Sequence, residues 1–178
     1  EFEKRILDPL PGATLTRVID LNKDGLLDVV GLFSQGNEMI NVYYNQGDLQ
    51  FRKSTLLNFP PVYGTNSFDL ADMNGDGHVD LLVTSGDNDD YSQVFKPYHG
   101  IRIFLNNGEN KFEEGYAYNI NGASKVLQSD FDLDGDADFV VLAMYPDLFS
   151  RPWETLQYFE NNGRMKFTIN YFEPMPSD

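Results

Sequence analysis

The 178-residue chain has no cysteine. That excludes disulfides, thiolate nucleophiles and cysteine-held zinc or iron–sulfur centres. It does not fix the compartment, because an exported domain can be held together by metal instead. Histidine is nearly as scarce, with only His78 and His99. Basic residues number 13 against 28 acidic ones, for a formal net charge of −15. Such a surface repels phosphate backbones and anionic bilayers, so neither nucleic acid nor a membrane surface is an expected partner. No apolar run reaches the length of a membrane span. Residues 1–11 are charged and proline-bearing, so no export leader is expected there. Helical periodicity is missing too, and 15 glycines and 9 prolines punctuate the chain too often for long helices.

What the chain does have is aromatic residues and clustered acid. Fourteen Phe and ten Tyr favour strands. Eleven of the 28 acidic residues fall within three nine-residue windows. Carboxylates packed that tightly repel one another unless a cation sits among them.

Those windows are copies of one pattern. The first carries Asp20, Asn22, Asp24, Gly25 and Asp28; the second Asp72, Asn74, Asp76, Gly77 and Asp80; the third Asp130, Asp132, Asp134, Gly135 and Asp138. Their starts lie 52 and 58 residues apart, and an apolar run follows each at once. A second signature recurs later in every copy: an apolar stretch, an Asn/Gly turn, and a Phe four residues after the Gly (Gly47 and Phe51, Gly108 and Phe112, Gly163 and Phe167). That is a hairpin signal. Each copy therefore reads as four short antiparallel strands, with the acidic loop joining the first two, the length and pattern of a β-propeller blade.

The expected fold class is all-β: three four-stranded blades over 14–57, 66–118 and 123–172, in one domain covering 1–178. Residues 1–8 echo the start of the fourth strands at Phe51 and Phe112, so they are expected to form the last strand of a preceding blade. Three blades and an orphan strand leave open edges, which self-association or further blades would cover.

Calcium takes six to eight hard oxygens at roughly 2.3–2.6 Å. Asp or Asn at loop positions 1, 3 and 5 turns alternate side chains toward one centre, and Gly at position 6 permits the sharp turn. Position 7 (Leu26, His78 or Asp136) offers a backbone carbonyl, and position 9 (Asp28, Asp80 or Asp138) a last carboxylate. About three calcium ions are expected, one per copy. The third loop, with Asp132 and Asp136 added, would bind most tightly if both faced inward. An EF-hand is excluded, because position 12 is Gly31, Val83 or Val141 and strands follow. A dockerin-type loop needs a helix after it. Ordinary Asx turns would explain one such loop, but three in register argue for metal. Magnesium rarely takes all-protein cages.

The pattern D-x-N/D-x-D-G-x-x-D, an apolar strand and an N-x-G-x3-F hairpin resembles the FG-GAP/VCBS repeat over roughly residues 14–172. The resemblance implies a calcium-binding β-propeller of the kind found in integrin α-subunits and exported bacterial proteins. It also implies an extracellular, periplasmic or cell-surface location, and as ligands the Asp and Asn residues at positions 1, 3, 5 and 9.

The expected role is non-catalytic, structural or in recognition of a protein or glycan. The loops opposite the acidic ones are long in the second and third copies, and their Tyr91, Tyr98, Tyr145, Arg151 and Trp153 are candidates for a ligand-binding surface. The competing reading has these aromatics packing on their own blade. Asp87, Asp89 and Asp90 lack a turn glycine and make a weaker cation site. His78 is expected to face solvent from its loop, and His99 has no recognisable Ser or Asp partner. The alternative is a carbohydrate-active enzyme domain such as a polysaccharide lyase.

Overall fold

The computed structural model describes residues 4–86 and 95–172, apart from the side chain of Gln35. The chain divides into two compact units, Glu1–Pro61 and Val62–Asp178. The boundary falls in the Pro60-Pro61 connection after the first repeat.

The first unit is one four-stranded sheet in the order β1-β2-β3-β4, every neighbour antiparallel: β1 (Ala13–Ile19), β2 (Asp28–Gln35), β3 (Asn37–Asn45) and β4 (Phe51–Phe59). Only Gly36, at φ +83°, separates β2 from β3. Val30, Leu32, Ile40 and Val42 are fully buried. In a pleated strand residues two apart share a face, so each pair projects to one side of the sheet.

Of the strand expected at residues 1–8, residues 1–3 lie outside the described residues, and Lys4–Asp8 form no strand. A strand needs a neighbour for its ladder, and among the described residues no strand pairs with this segment. Instead Tyr43 Oη donates to Asp8 Oδ2 (2.6 Å), and Lys53 Nζ lies 2.6 Å from the same oxygen.

The second unit holds two more sheets, β5-β6-β7-β8 and β9-β10-β11-β12, again fully antiparallel. Their strands are β5 (Thr65–Ala71), β6 (Asp80–Ser85), β7 (Gly100–Asn106), β8 (Phe112–Asn119), β9 (Ala123–Ser129), β10 (Asp138–Ala143), β11 (Leu156–Asn161) and β12 (Phe167–Tyr171). Two short 3-10 turns, Pro61–Tyr63 and Pro152–Thr155, sit in connections. The architecture is therefore all-β, four strands per repeat. Blades 2 and 3 share a core in which Met73, Leu82, Ile101 and Ile103 meet Val126, Phe139, Val141 and Phe159. The blades approach closely at Gly86, where any Cβ would collide with the Ala123 backbone.

One closure recurs in every blade. Ser34 N donates to Gly12 O, Gly86 N to Gly64 O, and Met144 N to Gly122 O, each at 2.9–3.0 Å. It pins the end of the second strand opposite the acidic loop. The acidic loops thus leave one rim of each blade and the long connections the other.

Candidate metal-binding loops

Residues 20–28, 72–80 and 130–138 join the first strand of each blade to the second. Three hydrogen bonds recur in all of them. The position 5 N–H donates to position 1 Oδ1 (Asp24 to Asp20 3.1 Å, Asp76 to Asp72 3.2 Å, Asp134 to Asp130 3.2 Å). The position 6 glycine N–H donates to the other oxygen of the same carboxylate, at 2.9, 2.7 and 3.1 Å. The position 7 N–H donates to the position 5 carboxylate (2.8, 2.8 and 2.9 Å). Gly25, Gly77 and Gly135 have φ of +86°, +84° and +101° with open space where a Cβ would stand. Glycine is therefore required by the backbone angle and not by crowding.

Position 9 does more than the sequence indicated. Asp28, Asp80 and Asp138 are wholly buried, and each carboxylate bridges two distant amides. One oxygen accepts from the N–H at position 2 (Leu21 3.1 Å, Met73 2.9 Å, Phe131 3.0 Å). The other accepts from the last residue of the third strand (Asn45, Asn106 and Asn161, each 2.8 Å). The side chains of those asparagines return the tie, donating to the position 8 carbonyls of Leu27, Val79 and Ala137. Sequence reading missed Asn45, Asn106 and Asn161 as parts of the site, although their fixed place in the hairpin motif was the available signal. Burial pushes the Asp80 carboxyl up to about 6; the amides of Asn106 and Met73 oppose that rise, while Asp76 and Asp72 add to it.

The third loop differs where its sequence differs. In loops 1 and 2 the position 3 amide donates from Nδ2 to the position 5 carboxylate (Asn22 to Asp24 2.8 Å, Asn74 to Asp76 2.9 Å). Asp132 has no such donor. Its carboxyl is held above the usual carboxylate range by desolvation and by repulsion from Asp134, Asp138 and Asp130. Ligand oxygens of Asp130, Asp132 and Asp138 all lie within 4.8 Å of one another. Oxygens bound to one calcium at 2.3–2.6 Å stand at most about 5 Å apart, so this hard, anionic donor set fits that ion. Asp134 stands outside that trio, its Oδ1 engaged by the Asp136 amide.

Position 7 side chains do not face the centre. His78 packs on the hairpin glycine Gly108, where a Cβ would lie 2.8 Å from its Nε2, so the solvent-facing histidine expected from sequence is half-buried instead. Asp136 Oδ2 lies in the corresponding place beside Gly163. The cause is the hairpin, which folds back over position 7 in blades 2 and 3. Leu26, the counterpart in loop 1, is exposed.

On the opposite rim, Tyr91, Asp87, Asp89 and Asp90 lie outside the described residues. Tyr98 stacks face to face on Tyr63 (5.0 Å between centroids, 3° between planes). Arg102 reinforces this pair: its guanidinium lies over the Tyr63 ring (5.1 Å) and donates to Tyr98 O (2.6 Å). Tyr98 is thus packed on its own blade. Tyr145 and Trp153 are exposed on the blade 3 connection, where Arg151 pairs with buried Glu154 (3.2 Å). Among the described residues no ring contact joins Tyr98 to these three. His99 is buried beside Tyr98.

A model of the FG-GAP-like repeat matches residues 20–83, from the first acidic loop through the strand after the second. This stretch is an FG-GAP-like repeat. The third copy of the loop and hairpin extends the FG-GAP-like pattern to blade 3. No curated protein matches the chain. Among solved structures it is similar to an Agrocybe aegerita lectin described as specifically recognising non-reducing terminal N-acetylglucosamine. The TM-score is 0.57 at 22% identity, over 90% of this chain and 38% of the lectin. That likeness is one of fold, and it places the FG-GAP-like blades in the β-propeller class. No helix of the described residues is long and apolar enough to cross a membrane.

Proposed function

We propose that this chain is a calcium-binding FG-GAP-like module of an exported protein, with a non-catalytic role in structure or in recognition of a protein or glycan. The observation that carries the reading is the convergence of Asp130, Asp132 and Asp138 in a loop whose backbone recurs twice more. The ligands would be the side chains at positions 1, 3, 5 and 9 and the carbonyls of Leu26, His78 and Asp136. Bound calcium would supply the charge that holds these carboxylates together; the chain contributes the turn that aims them. Extracellular calcium modules bind at roughly 0.1–1 mM, which suits loops that face open solvent.

Glycan recognition is the favoured form of binding. Its support is the exposed Trp153 and Tyr145 on the blade 3 rim, together with the fold shared with a glycan-binding lectin. A non-catalytic role is supported by the placement of the two histidines, His99 buried and His78 against Gly108.

Calorimetric titration with calcium, against a chelator control, tests the metal. At 10 mM calcium each site should stabilise the fold by about 1.4–2.7 kcal/mol, a rise of several degrees in Tm. Neither heat nor a Tm shift would refute it. A glycan array that includes terminal N-acetylglucosamine tests recognition, which Trp153→Ala should weaken.

A further inference from the structure

Tyr158 sets blade 3 apart from the other two blades at the tie between acidic loop and hairpin. It stands three residues before Asn161 and faces Val140 in the ladder. The same place is held by Val42, opposite Val30, in blade 1 and by Ile103, opposite Leu82, in blade 2. Neither side chain has a polar atom to offer its loop. The Tyr158 hydroxyl donates to Asp138 Oδ2 at 2.8 Å, the oxygen that also accepts from Phe131 N at 3.0 Å. Its ring is braced edge-on against Phe131, with 5.7 Å between centroids.

An ionised carboxylate has about four lone-pair positions, two on each oxygen. In Asp28 one oxygen accepts from Leu21 N and the other from Asn45 N; in Asp80 the donors are Met73 N and Asn106 N. Among the described residues, both carboxylates therefore keep an open position on each oxygen and can present two oxygens to an ion. Asp138 differs. Its Oδ1 accepts from Asn161 N alone, but Phe131 N and Tyr158 Oη fill both positions on Oδ2. It is left with one oxygen to present.

We propose that Tyr158 is the specificity-determining residue of loop 3: by occupying Asp138 Oδ2 it makes this loop discriminate less between calcium and magnesium than loops 1 and 2 do. The proposal rests on the metal reading given above and goes beyond it in ranking the three loops by ion. Calcium takes six to eight oxygens in a flexible shell, whereas magnesium takes six in a near-ideal octahedron and keeps several of them as water. Withdrawing one protein oxygen therefore costs calcium more than magnesium. The extra acid of loop 3 does not offset this, because the charge of Asp132 attracts both ions, while the number of oxygens tells them apart.

The test titrates the full chain with calcium chloride and, separately, with magnesium chloride, followed by proton–nitrogen NMR. The amides of Gly25, Gly77 and Gly135 each report their own loop. The ratio of magnesium to calcium Kd read at Gly135 should be about tenfold smaller than at Gly25 and Gly77. Tyr158→Phe, which removes only the hydroxyl, should raise the Gly135 ratio about tenfold, chiefly through tighter calcium binding, and leave the other two ratios where they were. Tyr158→Val, which installs the side chain that blade 1 carries, should do the same. Asp132→Asn is the control: it should weaken both ions and move the Gly135 ratio by less than about threefold. The proposal is overturned if the native Gly135 ratio matches the other two, if Tyr158→Phe leaves it unmoved, or if Asp132→Asn moves it as far as Tyr158→Phe does. These outcomes leave the metal reading standing. A chain in which none of the three glycines responds to either ion overturns that reading and this proposal together.

Discussion

Asp138→Asn separates two roles of the acidic loop. In the native chain Asp138 accepts from Phe131 N, Asn161 N and Tyr158 Oη at 3.0, 2.8 and 2.8 Å, and it is wholly buried. Asparagine keeps one acceptor oxygen and turns the other into an NH2 that faces an N–H. At least one charge-assisted hydrogen bond is lost, at about 1.5–3 kcal/mol, and a buried donor is left unsatisfied at about 1–3 kcal/mol. The expected cost is therefore about 2.5–6 kcal/mol, equivalent to roughly 5–24 °C in Tm for a chain of this size. Because these bonds need no metal, the loss should appear in full in chelator, and in calcium the missing ligand should add to it. Asp132→Asn is the contrast. It gives loop 3 the amide that loops 1 and 2 already carry, removing a carboxylate that Asp134, Asp138 and Asp130 repel. Its Tm in chelator should be unchanged or slightly higher, while the calcium-induced rise shrinks. Differential scanning calorimetry of both variants, with and without calcium, is the assay. If Asp138→Asn melts like the native chain in chelator, the buried tie is not what holds loop to hairpin.

Gly77→Ala should cost about 1–2 kcal/mol in urea denaturation, purely from the backbone at φ +84°, since nothing lies within 4 Å of the new methyl. Asp8 is held down to about 2, first by the Lys53 hydrogen bond and then by that of Tyr43. Its folded-state pKa lies below the unfolded value, so its contribution is present above about pH 4 and disappears as pH falls through 2. With Lys53 40% exposed and screened, Asp8→Asn should cost about 1 kcal/mol at pH 7 and nothing at pH 2, read from paired urea titrations. Arg102→Ala removes the guanidinium from Tyr63, Tyr98 O and Glu114 together. Amide exchange at residues 98–100 should quicken about tenfold or more, with the acidic loops unaffected.

The blades were legible because their signals are local. Three acidic windows and three Asn/Gly turns, each within a dozen residues, map onto the loops joining β1 to β2, β5 to β6 and β9 to β10, and onto the hairpins that close each blade. What was not legible depends on the hairpin returning to the loop. Asp28 reads as a metal ligand, and only the fold reveals that Asn45, seventeen residues on, already occupies one of its oxygens. The same return places His78 over Gly108 and Asp136 beside Gly163. The stacking of Tyr98 on Tyr63 likewise joins residues with no shared motif. The leading segment differs, because the described residues begin at Lys4 and Lys4–Asp8 carry no strand. Its resemblance to Phe51 and its neighbours is local, but a strand is made by its partner, and Asp8 found Tyr43 and Lys53 instead.

The carboxylate ties give the two rims of each blade unequal freedom to change. Lengthening residues 72–80 or 106–112 by even one residue would drag Asp80 off one of its two amides and strand a buried charge. Adding residues after Tyr145 and before Pro152, beyond the Met144 closure, touches no ladder bond of β10 or β11. New surface can therefore be tried on at one end of the blade while the other keeps its registration, which makes that span a place to graft foreign sequence onto this scaffold.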